Sequence, residues 1–409
     1  MAQPIFSIVI PTKNRHDTLA EVLDIILSMP DKDFEVVVQD CSDTDNELRK
    51  IADRLNDARL KCHKSPPNIT MTENWNLAIL NCSGKYVSFI GDDDLVGADV
   101  LKVVRWANEN DLDAVCEGTP PASYWWPNYT DLSKEQTFDV PKCSGQIEYA
   151  NGEIEATRAS YSVGDKSSRL PAIYRGIIKL SCVRKSYEVS GKYFDGIAPD
   201  CYSVFSLALN VKRYSIIHYS FFIAGGSPKS NSGKGVTGGS SKDTPEKGIK
   251  GHTPIEHWLE YSLSEWPQII PMVRINQALM SEGMIKAFTN NKRPDLVKNI
   301  DIEKLYLLSI LYSPQKTLQI LSKLPFASKY TGRSIPKLIT RILYCSIKKS
   351  IPFLNRLIAK KFLKPKSSKD ALRINNVVSL KDALAVHKKW FPDIENLLRQ
   401  APQVTTNQK

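Results

Sequence analysis

A chain of 409 residues, 42% apolar and 24% charged, can bury a large core and has room for two domains. Its net charge of +11 is local: residues 320–369 hold thirteen Lys or Arg and no acid, and 11 less 13 leaves −2 for the rest. That distribution argues against a nucleic-acid-coating protein and for one local anionic surface as partner.

The opening residues MAQPIFSIVIPTKNR lack the basic start and long apolar run of a signal peptide. No run of about 18 apolar residues occurs, so no transmembrane helix is expected. Eight cysteines, at 41, 62, 82, 116, 143, 182, 201 and 345, form no metal-ligand spacing and read as reduced thiols packed like small hydrophobes.

FSIVIP (6–11) is an apolar β-rich run. Residues 17–29 follow with helical spacing at Leu19, Val22, Leu23, Ile26 and Leu27, and Asp17 stands where an N-cap would. FEVVVQD (34–40) is a second buried strand, then come a helix around 44–55 and a short strand near 59–63. MTENWNLAIL (71–80) is helical, YVSFI (86–90) a strand, 98–108 a helix and DAVCEG (113–118) a strand. This alternation predicts an α/β fold with a mostly parallel sheet, which binds ligands at the carboxyl ends of its strands. Residues 119–225 are less regular and rich in aromatics. Residues 226–254, rich in Gly, Ser and Lys, read as a loop, a linker or a lid over an anionic ligand, and 255–409 as a helical region.

Four polar stretches fall at predicted strand ends. They are Pro11 to Arg15, Gln39-Asp40, Asn68 with Glu73 to Asn76, and Asp92-Asp93-Asp94. Three adjacent carboxylates repel one another, so a positive partner is expected among them. A Mg²⁺ or Mn²⁺ ion carrying a nucleotide diphosphate is the expected one.

SIVIPTKNR, EVVVQDCSDTD, ENWNLAI and GKYVSFIGDDD, in this order, resemble the family 2 glycosyltransferases of GT-A fold. The resemblance is strong over 4–118 and looser over 119–225. It implies a GT-A catalytic domain over 1–225, with 1–118 holding the nucleotide and 119–225 the acceptor. It implies that Pro11, Thr12, Arg15, Asp40, Asn76, Asp92 and Asp93 line the nucleotide site, Asp40 at the base, with Asp92 and Asp94 on a Mn²⁺ or Mg²⁺ ion. Many relatives have Arg-Asn where this chain has Trp75-Asn76, so one basic contact to the nucleotide is missing.

Inverting transfer also needs a base for the acceptor hydroxyl. In GKYFDGIAPDCYSVFSLAL (191–209) the family places an acidic pair whose second member is that base; here the pair reads Pro199-Asp200, so Asp200 inherits the role, with Asp195 as runner-up. Asp200 equally suits an N-cap. His218 and His252 are either a third metal ligand or structural. Tyr124, Trp125, Trp126 and Tyr129 either stack on acceptor sugars or pack inside. Arg175 and Lys179 either neutralise phosphate or face solvent.

Residues 335–348 place Ile335, Leu338, Ile339, Ile342 and Leu343 on one helical face, with Lys337, Arg341 and Lys348 roughly opposite. A basic amphipathic segment over 335–363 suits an anionic membrane surface, or a bundle. The expected function is an inverting transfer of a sugar from a nucleotide diphosphate donor to a glycan or lipid-linked glycan, at the cytoplasmic face of the cell membrane, with no nucleic-acid partner. Rival readings are a sugar-1-phosphate nucleotidyltransferase, against which the glycine-free PTKNRHD counts, and an inactive membrane-bound carbohydrate- or nucleotide-binding scaffold.

Overall fold

The computed structural model describes residues 3–44, 46–129, 131, 133–230, 265–273, 275–344, 371–391 and 394–402. Most of the 226–254 loop, His252 and residues 345–363 of the basic segment lie outside them.

Strands β1 (Phe6–Thr12), β2 (Phe34–Asp40) and β4 (Tyr86–Phe89) are buried along both faces. That is why their sequences are near-continuous apolar runs. With β3 (Leu60–Lys64) they pair in parallel, in the order β3-β2-β1-β4. Helix α1 (His16–Leu27) covers this sheet with Leu19, Val22, Leu23 and Ile26, the predicted face. Its N-cap is Arg15, so Asp17 sits in the first turn, where a carboxylate favours the positive end of the helix dipole. α1 connects β1 to β2, and helices α2 (Glu47–Leu55) and α3 (Met71–Leu80) supply the other two crossovers. Thr70 and Glu73 form a capping box that fixes the start of α3.

The sheet then turns mixed. After β5 (Leu95–Val96), α4 (Val100–Glu109) and β6 (Ala114–Glu117), the short β10 (Ile177–Lys179) inserts antiparallel between β4 and β6. β11 (Tyr214–Ile217) and β9 (Ile147–Ala150) complete eight strands. The expected mostly parallel sheet is therefore parallel in its first four strands and mixed beyond them. A second sheet has the order β13-β8-β7-β12-β5, with β7 (Ala122–Trp125), β8 (Thr137–Pro141), β12 (Phe222–Gly226) and β13 (Ala371–Ile374). The architecture is an α/β fold with two mixed sheets and flanking helices.

Helices α5 (Gly152–Ser160), α6 (Leu180–Ser190) and α7 (Pro199–Ala208) lead into the C-terminal helices α8 (Asn276–Asn290) and α9 (Ile302–Tyr312). α7 and α8 share a second core through Tyr202, Phe205, Met284 and Phe288. The expected helical region 255–409 does not stay apart. β13 pairs with β8, and Val377, Leu380, Ala383, Phe391, Ile394 and Leu398 enter the first core. The predicted apolar stripe also divides. In the helix over 335–344, Leu338 and Ile342 are buried in the second core, while Ile339, Leu343 and Tyr344 are exposed. Arg341 lies 3.1 Å from Glu303, so part of the basic charge is neutralised internally. Among the described residues no helix is long and apolar enough to cross a membrane.

Candidate active site

The carboxyl ends of β1, β2 and β4 bring four carboxylates together, those of Asp40 and of Asp92 to Asp94. Asp40 ends β2 and is fully buried. Its Oδ1 accepts the Ser42 N–H at 2.8 Å, and its Oδ2 lies 3.0 Å from His16 Nε2 and 3.6 Å from Lys64 Nζ. Burial pushes its pKa up, but these donors outweigh burial and hold it below the ordinary carboxylate range. Asp40 is thus a fixed anion. His16, the first residue of α1, is a site residue that the sequence reading passed over, although it directly follows Arg15.

Asp92, Asp93 and Asp94 are all buried. Thr12 Oγ1 donates to Asp92 Oδ2 at 2.5 Å, so the hydroxyl expected at a nucleotide is committed to a carboxylate here. Arg15 Nη2 lies 2.7 Å from Asp92 Oδ1, and its Nη1 lies 3.8 Å from Asp93. The first contact is an ion pair without hydrogen-bond geometry, which leaves Asp92 Oδ1 buried and without a hydrogen-bond donor. Asp93 Oδ2 accepts Ser227 Oγ at 2.6 Å and the Ser227 N–H at 3.1 Å. Asp94 Oδ2 accepts the Gly91 N–H at 2.8 Å and Tyr174 O–H at 2.7 Å, and its Oδ1 accepts the Gly225 N–H at 2.7 Å. Arg175 stands 3.6 Å from Asp94 and over the ring of Tyr174. Gly225 must be glycine, because a Cβ there would overlap the Asp93 carbonyl oxygen.

The positive partners that the structure supplies to the triplet are therefore two arginines. Arg175 comes from the segment before β10 and adopts a left-handed φ of 53°. It brings a cation to this crevice where Trp75 brings none. Trp75 is buried, stacked on Phe89 at 4.6 Å and edge-on to Phe194 at 5.3 Å. Three carboxylates against two guanidiniums still leave an excess negative charge. Desolvation pushes Asp92 up to about 7, against the pull of Arg15, and raises Asp93 as well. Nearby, burial pushes Glu117, at the end of β6, up to about 8 against the Phe221 and Phe222 N–H donors.

Among the described residues no three His, Cys, Asp or Glu side chains converge as a metal cage. Mg²⁺-type sites rarely need one, since one or two carboxylates plus substrate phosphates suffice. Asp92 Oδ1 is a buried carboxylate oxygen held by the Arg15 ion pair at 2.7 Å and by no hydrogen bond, in a cluster of three carboxylates and two guanidiniums. The residues thus fit a cation shared with a bound phosphate, although Asp94 would have to give up a protein donor to join it.

Asn76 is engaged with its own helix and with Phe194. Its Nδ2 donates to the Thr72 and Phe194 carbonyls at 2.9 and 3.1 Å, and its Oδ1 accepts the Phe194 N–H at 3.2 Å. The amide expected at the nucleotide thus holds the 191–199 loop through Phe194. Thr72 Oγ1 donates to the Gly196 carbonyl at 2.7 Å. Thr72 lies in the first turn of α3 and Asn76 one turn further on, so the loop leading to Asp200 packs along α3, the helix that follows β3. The α7 N-cap is Ala198, with Pro199 at the first helical position, so Asp200 is a first-turn residue and not a cap. Asp195 is committed elsewhere. Burial raises its pKa, but Lys286, Asn290 and the Gly196 N–H outweigh that and lower it overall.

The weaker candidates fall mostly to structural roles. His218 Nε2 lies 2.7 Å from Glu148. Tyr124, Trp126 and Tyr129 are buried, and Trp125 carries Lys134 over its ring at 4.4 Å. Lys179 pairs with Asp111 at 2.7 Å.

Residues 7–161 match the family model described as Glycosyl transferase family 2. A poly(ribitol-phosphate) beta-glucosyltransferase of Bacillus spizizenii is 34% identical over 174 residues, which is 38% of this chain and 25% of that protein. The GalNAc(5)-diNAcBac-PP-undecaprenol beta-1,3-glucosyltransferase of Campylobacter jejuni is 30% identical over 113 residues, 26% of this chain and 35% of the relative. The alignments thus span about a quarter to a third of these relatives' own length. Among solved structures, S. aureus TarS 1-349 in complex with UDP-GlcNAc aligns at TM-score 0.44 and 16% identity, covering 80% of this chain and 92% of that one.

Proposed function

We propose, from the premise that this chain is a glycosyltransferase of family 2, as its residues 7–161 place it, that it transfers a sugar with inversion from a nucleotide diphosphate donor to a hydroxyl of a glycan or lipid-linked glycan. The observation that carries this reading is the meeting of Arg15, Asp40 and Asp92 to Asp94 at one crevice, beside the loop that leads to Asp200. Pro11, Thr12, Arg15, Asp40, Asp92 and Asp93 form the donor side of the crevice. Asp92 and Asp94 would hold a Mn²⁺ or Mg²⁺ ion, whose charge offsets that of the departing diphosphate. Asp200 takes the proton of the attacking hydroxyl. A surface-polymer or lipid-linked acceptor is favoured because the named relatives act on poly(ribitol-phosphate) and on an undecaprenol-linked glycan.

The experiment is a thermal-shift screen of UDP-, GDP- and dTDP-sugars with Mn²⁺. One nucleotide class should raise the melting temperature, because a ligand bound only by the folded state stabilises it by mass action. No shift with any donor would contradict the reading.

The same reading puts the enzyme at the cytoplasmic face of the membrane. Ile339, Leu343 and Tyr344 are exposed beside Lys337, and the uninterrupted basic run continues after them. Apolar burial at the headgroups and attraction to anionic lipid would then add. Co-sedimentation should show binding to anionic but not neutral liposomes, weaker at high salt because screening acts over about 8 Å at physiological ionic strength. Equal binding to both lipids, or to neither, would contradict a membrane role for this segment.

A further inference from the structure

The loop before Asp200 is held from two sides. The α3 side, through Thr72 and Asn76, belongs to the family-matched residues. The other side is α8, far beyond residue 161. Lys286 Nζ lies 3.0 Å from Asp195 Oδ1, and Asn290 Nδ2 donates to Asp195 Oδ2 at 3.0 Å. Lys286 also lies 3.6 Å from Glu282, one turn earlier on α8 and fully buried. Glu282 in turn faces the Ile197 N–H at 3.4 Å. The fit is close. Gly196 has a φ of +83°, and a Cβ there would collide with Glu282 Oε2; a Cβ on Gly283 would come within 2.7 Å of the Cys201 carbonyl carbon.

We propose that Lys286 and Asn290 are positioning residues for transfer: α8 grips Asp195 and thereby sets the place of Asp200, five residues on. The inference rests on Asp200 as the base. Its physical core is charge. Lys286 is the cation shared by three acids, Asp195, the buried Glu282 and the more exposed Glu265. Removing it takes a shared countercharge from these acids, and breaking a buried ion pair by losing one partner is strongly destabilising. The 195–199 loop then shifts, and the first turn of α7 shifts with it. A displacement of about 1 Å at a reacting group costs on the order of 10²-fold in rate. The donor pocket, built on β1, β2 and β4, is untouched.

The test compares Lys286→Met, Lys286→Arg, Asn290→Ala and Asp200→Asn in the full chain, measuring kcat, donor Kd and melting temperature. Lys286→Met should lower kcat roughly 10- to 100-fold with donor Kd within about threefold, Lys286→Arg should recover most of the rate, and Asn290→Ala should lower kcat less. If Asp200→Asn loses turnover while Lys286→Met and Asn290→Ala keep it, the positioning role is refuted and the base stands. If Asp200→Asn keeps turnover, the base reading fails and this inference with it. If Lys286→Met does not fold, Asn290→Ala decides, because it leaves the ion pairs in place: a lowered kcat at unchanged donor affinity supports the proposal, and an unchanged kcat overturns it. Loss of rate and donor binding in equal measure would mark a purely structural role and overturn it too.

Discussion

Asp200→Asn is expected to bind the donor as tightly as the wild type and to turn over at least about 10²-fold more slowly. The amide keeps the size of the carboxylate and its place in the first turn of α7, but it cannot accept a proton. The donor site, at the ends of β1, β2 and β4, lies on other elements. Asp195 is a poor substitute base, since Lys286 and Asn290 already hold its two oxygens. Donor Kd and kcat measured on the same preparation check this. A variant with unchanged kcat would remove Asp200 from the chemistry. Because Ala198 and not Asp200 is the helix cap, loss of folding in this variant is not expected.

Asp94→Ala is expected to abolish transfer and to remove the divalent-ion dependence of donor binding. This carboxylate accepts the Gly91 and Gly225 N–H groups and the Tyr174 hydroxyl, and neutralises Arg175. Truncation would leave those donors buried and unpaired, at about 1–3 kcal/mol each, so stability should fall as well. Asp94→Asn separates the two effects, because it keeps the shape while lacking the charge. Donor affinity is measured with and without Mn²⁺ in both variants. A full Mn²⁺-dependent gain in Asp94→Asn would contradict the ligand role and leave Asp94 as the bolt between the β4 turn and β12.

Much of the nucleotide half was legible because its signals are local. β1, β2 and β4 are buried on both faces, so each reads as a near-continuous apolar run, and the helical pattern of 71–80 is α3. What escaped the sequence was set by contacts across long separations. Arg175 reaches Asp94 from 81 residues away, and nothing in YRGIIKL marks that arginine as a counter-ion. The short β10 could not be foreseen as the antiparallel strand between β4 and β6, since a three-residue run carries no direction. Asn76 looked like a ligand group from its motif alone, yet its amide closes on Phe194. The C-terminal segment looked helical throughout, but its few apolar residues around Leu380 and Ile394 complete the first core. Periodicity gives an element its buried face, not the core that will receive it.

The central claim is tested most directly by incubating the wild-type chain with UDP-, GDP- and dTDP-sugars and Mn²⁺ and following free nucleoside diphosphate. The account predicts slow release of nucleoside diphosphate from one donor class, lost in Asp200→Asn. Release of nucleoside monophosphate or pyrophosphate instead, or no release from a donor that demonstrably binds, would contradict it.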